Sequence, residues 1–120
     1  MPKILIAEDE HDIRELIRLT LTFSGHDVIS AKDGAEAVEI AQTDDFDLIL
    51  MDVYMPRMDG YKACARLKEI DATKNVPVIF LSAKGQEGEV QEGLAAGASE
   101  YIIKPFAPEE LAAKIAAVLQ

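Results

Sequence analysis

Four apolar runs punctuate the chain, and each ends in a polar residue. Residues 3–9 read KILIAED, 47–52 DLILMD, 76–82 VPVIFLS and 101–104 YIIK. None alternates apolar with polar positions as a strand with one wet face would. Uninterrupted Val, Ile and Leu is the pattern of strands buried on both faces of a parallel sheet. Parallel strands bring their carboxyl-terminal ends to one edge, where open α/β sheets bind ligands. Glu8, Asp9, Asp52, Ser82 and Lys104, distant in sequence, are therefore expected to converge there.

Between these runs lie segments with helical spacing, so strands and helices alternate and the fold class is α/β with βαβ units. A first strand over 3–7 is followed by a helix over 12–23, with Ile13, Leu16, Ile17 and Leu21 as its stripe and Ser24-Gly25 as its end. A short second strand spans Asp27–Ala31. Asp33 then caps a helix carrying Ala37, Val38 and Ala41. The third strand, Asp47–Met51, is the most continuously apolar. After the loop Asp52–Gly60 comes a helix through about Ile70, with Ala63, Cys64, Leu67 and Ile70 on one side and Asp59 as its cap. Val76–Leu81 and Glu100–Ile103 are the fourth and fifth strands. The last helix has Pro108 in its first turn and Glu109-Glu110 near its positive end, both favourable positions. Leu111, Ile115 and Val118 form its buried stripe.

The segment between the last two strands is different. Four of the seven glycines, Gly85, Gly88, Gly93 and Gly97, fall within residues 85–97. Each helical glycine costs roughly 0.5–1 kcal/mol relative to alanine. A helix here, the fourth of five, is expected to be the weakest.

Composition narrows the function classes. A chain of 120 residues with no repeat, low-complexity tract or linker reads as one domain over 1–120. Twelve basic against 22 acidic residues give a net charge of −10, which repels nucleic-acid phosphates rather than collecting them. No apolar run approaches the ~20 residues of a membrane span, and the amino terminus lacks a secretory pattern. The lone Cys64 cannot form an internal disulfide, which fits a cytoplasmic location. It reads as a small core residue, Met55 and Met58 as loop packing, and His11 and His26 as solvent-facing.

Carboxylates, a hydroxyl and an ammonium in one small space suit a divalent cation and a phosphoryl group. An aspartate at a strand end beside such a cation can attack phosphorus and form an aspartyl phosphate. Asp52 is the candidate, Asp9 and Asp52 the candidate metal ligands, and Glu8 a contributor through water. Mg²⁺ takes few carboxylates and completes its shell with phosphate oxygens and water. Lys104 offers a point charge and Ser82 a hydrogen bond to the phosphoryl group.

These residues carry a family resemblance. Glu8-Asp9, the run from Asp52 through Val-Tyr-Met-Pro-Arg-Met-Asp to Gly60, Ser82-Ala83, and Lys104-Pro105-Phe106 together resemble the receiver domain of two-component response regulators, across the whole chain and in order. The resemblance implies a doubly wound, flavodoxin-like sheet of five parallel strands in the order 2-1-3-4-5 with five helices. It implies that Asp52 accepts a phosphoryl group from a sensor histidine kinase or phosphotransfer protein, with Mg²⁺ held by Glu8, Asp9, Asp52 and the backbone carbonyl of Tyr54. It implies that Ser82 and Lys104 contact the phosphoryl group, that Ser82 and Tyr101 form the switch, and that the Lys104-Pro105 peptide is cis. The output surface would be the fourth helix, fifth strand and fifth helix, acting on a partner or domain that the sequence does not name.

The chain departs from the commonest pattern of that family in three places. Ser82 stands where threonine is more usual, so the hydroxyl survives without the methyl that restricts its rotamer. Tyr54 and Lys84 lie two residues beyond Asp52 and Ser82, where a ring and a long cation can obstruct an attacking water and slow phosphoryl loss. Two other classes remain open. A phosphohydrolase with an aspartyl nucleophile would want the same groups, but usually with a second acid where Tyr54 stands. A receiver-shaped interaction module would never be phosphorylated.

Overall fold

The computed structural model describes residues 2–53, 55, 58–82, 99–104 and 106–119. In chain order these form β1 (Lys3–Ala7), α1 (His11–Phe23), β2 (Asp27–Ala31), α2 (Gly34–Ala41), β3 (Leu48–Asp52), α3 (Gly60–Glu69), β4 (Val78–Ser82), β5 (Glu100–Ile103) and α4 (Pro108–Leu119). The strands make one sheet in the order β2-β1-β3-β4-β5, with every neighbouring pair parallel. Four helices lie among the described residues, and the glycine-rich helix expected within 85–97 falls outside them.

Successive residues of the strands point to opposite faces, and both faces are dry. Leu5, Ala7, Ile49, Met51, Val78 and Phe80 pack with Ala37, Val38 and Ala41 of α2 and Ala63, Cys64 and Leu67 of α3. Ile4, Ile6, Leu48, Leu50, Ile79 and Leu81 pack on the other side with Ile17 and Leu21 of α1 and Leu111 and Ile115 of α4. This is why the runs carry no polar alternation.

Local signals set the helix ends. The Asp33 carboxylate accepts from the Glu36 N–H at 2.8 Å, and Asp59 accepts from Lys62 N–H at 2.9 Å, so both predicted caps are present. α1 closes with Gly25 at φ +93°, while the Gly25 N–H bonds the Thr22 carbonyl and the His26 N–H bonds that of Leu21. That pair of bonds is a Schellman closure, which favours glycine at this turn.

The structure corrects several sequence expectations. β3 begins at Leu48 and includes Asp52, because its pairing starts at Ile4 with Leu48 and continues to Asp52 with Leu81. β4 begins at Val78 rather than Val76 and runs through Ser82; Pro77 has no N–H to give the ladder, and pairing starts at Ile49 with Val78. Leu16 is 47% exposed rather than buried. It sits about 100° around the helix from Ile17, on the flank shared with Leu19 and Phe23. Val118 is only half-buried. His26 is half-buried rather than solvent-facing, because its backbone bond to Leu21 tucks it under the end of α1.

Candidate phosphoacceptor site

Strand register builds the site. Ala7 lies beside Met51, Asp52 beside Leu81, and Ser82 beside Ile103, so the ends of β1, β3, β4 and β5 finish on one edge. The Val53 N–H continues the ladder to the Leu81 carbonyl at 3.0 Å, and the Lys104 N–H reaches the Ser82 carbonyl at 2.7 Å. Glu8 follows β1 directly and is fully buried. Its backbone N–H bonds the Ala31 carbonyl at 3.2 Å, and its own carbonyl accepts from the Arg14 guanidinium at 2.9 Å. Glu8, Asp52 and Ser82 are all buried, whereas Asp9 faces solvent.

One cation ties this edge together. The Lys104 ammonium donates to Glu8 Oε1 at 2.7 Å and to Asp52 Oδ2 at 3.1 Å. Burial pushes the Glu8 carboxyl up to about 8; a hydrogen bond with Asp52 acts in the same direction, and Lys104 opposes both. For Lys104 burial alone would lower the ammonium. The hydrogen bond to Glu8 and the fields of Asp52 and Glu8 outweigh it and hold the group above its ordinary value.

One carboxylate oxygen from each of Glu8, Asp9 and Asp52 lies within 4.8 Å of the others. Neighbouring ligands of an octahedral Mg²⁺ stand about 3 Å apart and opposite ones about 4.2 Å, so the three carboxylates must draw together to share one ion. An all-oxygen, acid-rich donor set fits that hard cation. Among the described residues, His11, His26 and Cys64 join no such cluster.

Close packing holds the loop after β3. A Cβ on Gly60 would stand 2.3 Å from the Asp52 carbonyl oxygen, and one on Gly34 would stand 2.0 Å from that of Met58. The first turns of α3 and α2 therefore press directly on the chain that leaves Asp52. Met55 is buried and Met58 half-buried, as loop packing requires. Sequence reasoning gave these two glycines no role. The available signal was a glycine opening a helix twice, each time after an aspartate cap, in a position where other residues are better helix formers.

Of the predicted site residues, Glu8, Asp9, Asp52, Ser82 and Lys104 all reach the same edge. Tyr101 lies in β5 facing the α3 side, 8% exposed. Tyr54, Lys84 and Pro105 lie outside the described residues, so the carbonyl ligand, the flanking cation and the cis peptide carry no structural description.

The sequence model of the response regulator receiver domain matches residues 4–116. The chain belongs to the response regulator receiver domain family. Phosphorylation on an aspartate and use of Mg²⁺ are general to this family. The receiver is 41% identical over 118 residues to the alkaline phosphatase synthesis transcriptional regulatory protein PhoP of Bacillus subtilis, covering 98% of this chain and 48% of that protein. It is 42% identical to the probable transcriptional regulator ycf27 of Porphyridium aerugineum, again over 98% of this chain and 48% of the other. The chain thus spans about half the length of the curated relatives it matches. The fold superposes on the chemotaxis protein CheY4 of Vibrio cholerae with a TM-score of 0.96, at 36% identity and 99% coverage of both chains. It also matches the receiver domain of sensor histidine kinase PA1611 of Pseudomonas aeruginosa, with a TM-score of 0.92 at 32% identity over 98% of this chain and 97% of that one. That structure has a magnesium ion coordinated in its active-site cleft. No helix among the described residues is long and apolar enough to cross a membrane.

Proposed function

We propose that Asp52 of this receiver takes a phosphoryl group from the phosphohistidine of a sensor histidine kinase or phosphotransfer protein. The observation that supports this reading most is the Lys104 ammonium between the Glu8 and Asp52 carboxylates, at the edge where Ser82 also ends. An Asp52 carboxylate oxygen attacks phosphorus, a P–O bond forms and the N–P bond breaks. The electron pair leaves with the donor imidazole. The new phosphoryl oxygens draw Lys104 more strongly than Glu8 does, because charge-assisted bonds to phosphate are strong. The Ser82 hydroxyl donates to another phosphoryl oxygen. Glu8, Asp9, Asp52 and the Tyr54 carbonyl would hold Mg²⁺, which when bound supplies charge neutralisation at the transferring group. Water later cleaves the acyl phosphate, so the chemistry is self-directed and turns over no external substrate.

The output follows from position. Ser82 ends β4 and leads into the glycine-rich segment; a pull on its hydroxyl shifts residues 85–106, including Tyr101, and so the surface offered to an output partner or domain. Control of transcription is the output that the names of the curated relatives support. With a net charge of −10, DNA contact would belong to another domain or partner rather than to this receiver. The whole of residues 1–120 forms one receiver unit, acting in the cytoplasm.

Intact mass after incubation with acetyl phosphate and Mg²⁺ tests the reading. Gain of one phosphoryl group by the wild type and none by Asp52→Asn supports it. No gain by folded wild-type protein would make the chain a phosphorylation-independent interaction module, and turnover of small phosphoesters would make it a phosphohydrolase.

A further inference from the structure

Three aromatic rings join the helix that follows Asp52 to the strand that leads to Lys104. Tyr61, the second residue of α3, places its hydroxyl 3.0 Å from that of Tyr101, 40 residues away. Phe80 lies between them in β4, edge-on to both, with ring centroids 5.1 Å from Tyr61 and 6.0 Å from Tyr101. Phe80 is fully buried, Tyr101 nearly so, and Tyr61 half-buried.

The backbone at both ends of this bond is firmly placed. Gly60 presses on the Asp52 carbonyl and donates its N–H to the Val53 carbonyl at 2.8 Å, so Tyr61 starts from a point fixed to the end of β3. Tyr101 is held in the sheet beside Phe80, three residues before Lys104. The hydroxyl bond thus closes a loop of contacts: Asp52 to Gly60, Tyr61 to Tyr101, and Lys104 back to Asp52.

We propose that Tyr61 is a positioning residue that holds the Tyr101 ring inward in the unphosphorylated receiver. The proposal rests on the reading of Tyr101 as a switch residue and adds a second determinant of its state, contributed by α3 rather than by the segment after Ser82. A neutral hydrogen bond of ordinary net strength shifts a two-state ring equilibrium roughly five- to tenfold. Tyr101 is then already biased toward the inward position when a phosphoryl group arrives, and the pull on Ser82 acts on a ring that Tyr61 also holds. Loss of the Tyr61 hydroxyl would lower the resting inward population and enlarge the change that phosphorylation causes.

Tyr61→Phe tests this because it deletes one oxygen and keeps the ring that packs on Phe80. Proton NMR of the unmodified full chain would compare two sets of ring-to-ring Overhauser effects, Tyr101 to Phe80 and residue 61 to Phe80. A severalfold weakening of the first with the second intact supports the proposal. Unchanged Tyr101 contacts overturn it, and so does an equal loss of both, which would mean that the hydroxyl merely supports packing. Tyr61→Leu gives a second variant, expected to release Tyr101 as Tyr61→Phe does. All these spectra are of unphosphorylated protein, so the result stands whether or not Asp52 labels with acetyl phosphate; failure to label would sink the proposed function alone.

Discussion

The Lys104 ammonium lies 2.7 Å from Glu8 Oε1, across 96 residues of sequence, and is the nearest compensating charge for a fully buried carboxyl. Removing one partner of a buried ion pair costs more than the pair itself contributes, since the survivor stays desolvated. Lys104→Met is expected to destabilise the metal-free protein at pH 8 by about 1–3 kcal/mol, the cost of leaving a buried polar group without its partner, and by less at pH 5, where Glu8 can be neutral. Urea melts at the two pH values check this. The same variant is expected to label with acetyl phosphate far more slowly, as intact mass would show.

Stability should also depend on pH through Glu8. Its native pKa is raised to about 8 from 4.5. Below pH 4.5 both folded and unfolded states hold the proton, and the carboxyl has no effect on their balance. As pH rises from 4.5 to 8 the unfolded chain releases the proton first, so stability falls, by up to about 1.4 kcal/mol per pH unit. Above pH 8 both states are ionised and this loss is complete. Calorimetry in EDTA is expected to show Tm declining across that window.

Added Mg²⁺ should restore what the ionised acids lose. At a hundredfold excess over its dissociation constant a native-state ligand adds about 2.7 kcal/mol. The Tm gain from Mg²⁺ is expected to be larger at pH 8 than at pH 5 and to vanish in Asp9→Ala/Asp52→Ala. A Tm indifferent to Mg²⁺ in the wild type would count against the ligand set.

Two glycines separate steric from conformational cost. Gly60→Ala puts a methyl into the Asp52 carbonyl oxygen, with only 2.3 Å available, and is expected to cost about 1–3 kcal/mol and to slow labelling of Asp52. Gly25→Ala meets open space but keeps φ at +93°, and is expected to cost about 1 kcal/mol with labelling unchanged. Denaturant melts and mass spectrometry read both.

Cys64 is fully buried, and burial pushes its thiol up to about 11. The thiolate is the reactive species. Iodoacetamide at pH 8 is expected to leave Cys64 unmodified in the native protein over times that alkylate it fully in urea. Rapid native alkylation would show that α3 opens away from the sheet.

Short-range patterning in the sequence was enough to find every described strand and helix. Unbroken apolar runs identify strands covered on both faces, and Asp33, Asp59, Gly25 and Pro108 mark helix ends, because caps and turns depend on neighbours a few residues apart. Pattern also placed Glu8, Asp9, Asp52, Ser82 and Lys104 at strand ends, and parallel pairing then sends them to one edge. The strand order and the role of each residue came from the family resemblance rather than from periodicity.

Only the tertiary structure decided the contacts between distant segments. Register made Asp52 and Ser82 the last residues of their strands and set the Lys104 ammonium against Glu8 as well as Asp52. Helix packing exposed Leu16 while burying Ile17 beside it, and tucked His26 under the end of α1. The Tyr61 and Tyr101 hydroxyls meet because α3 and β5 flank Phe80, and no local pattern records a bond that spans 40 residues. Local propensity acts over a turn or a few residues. A contact between segments exists only once the sheet has fixed the distance between them.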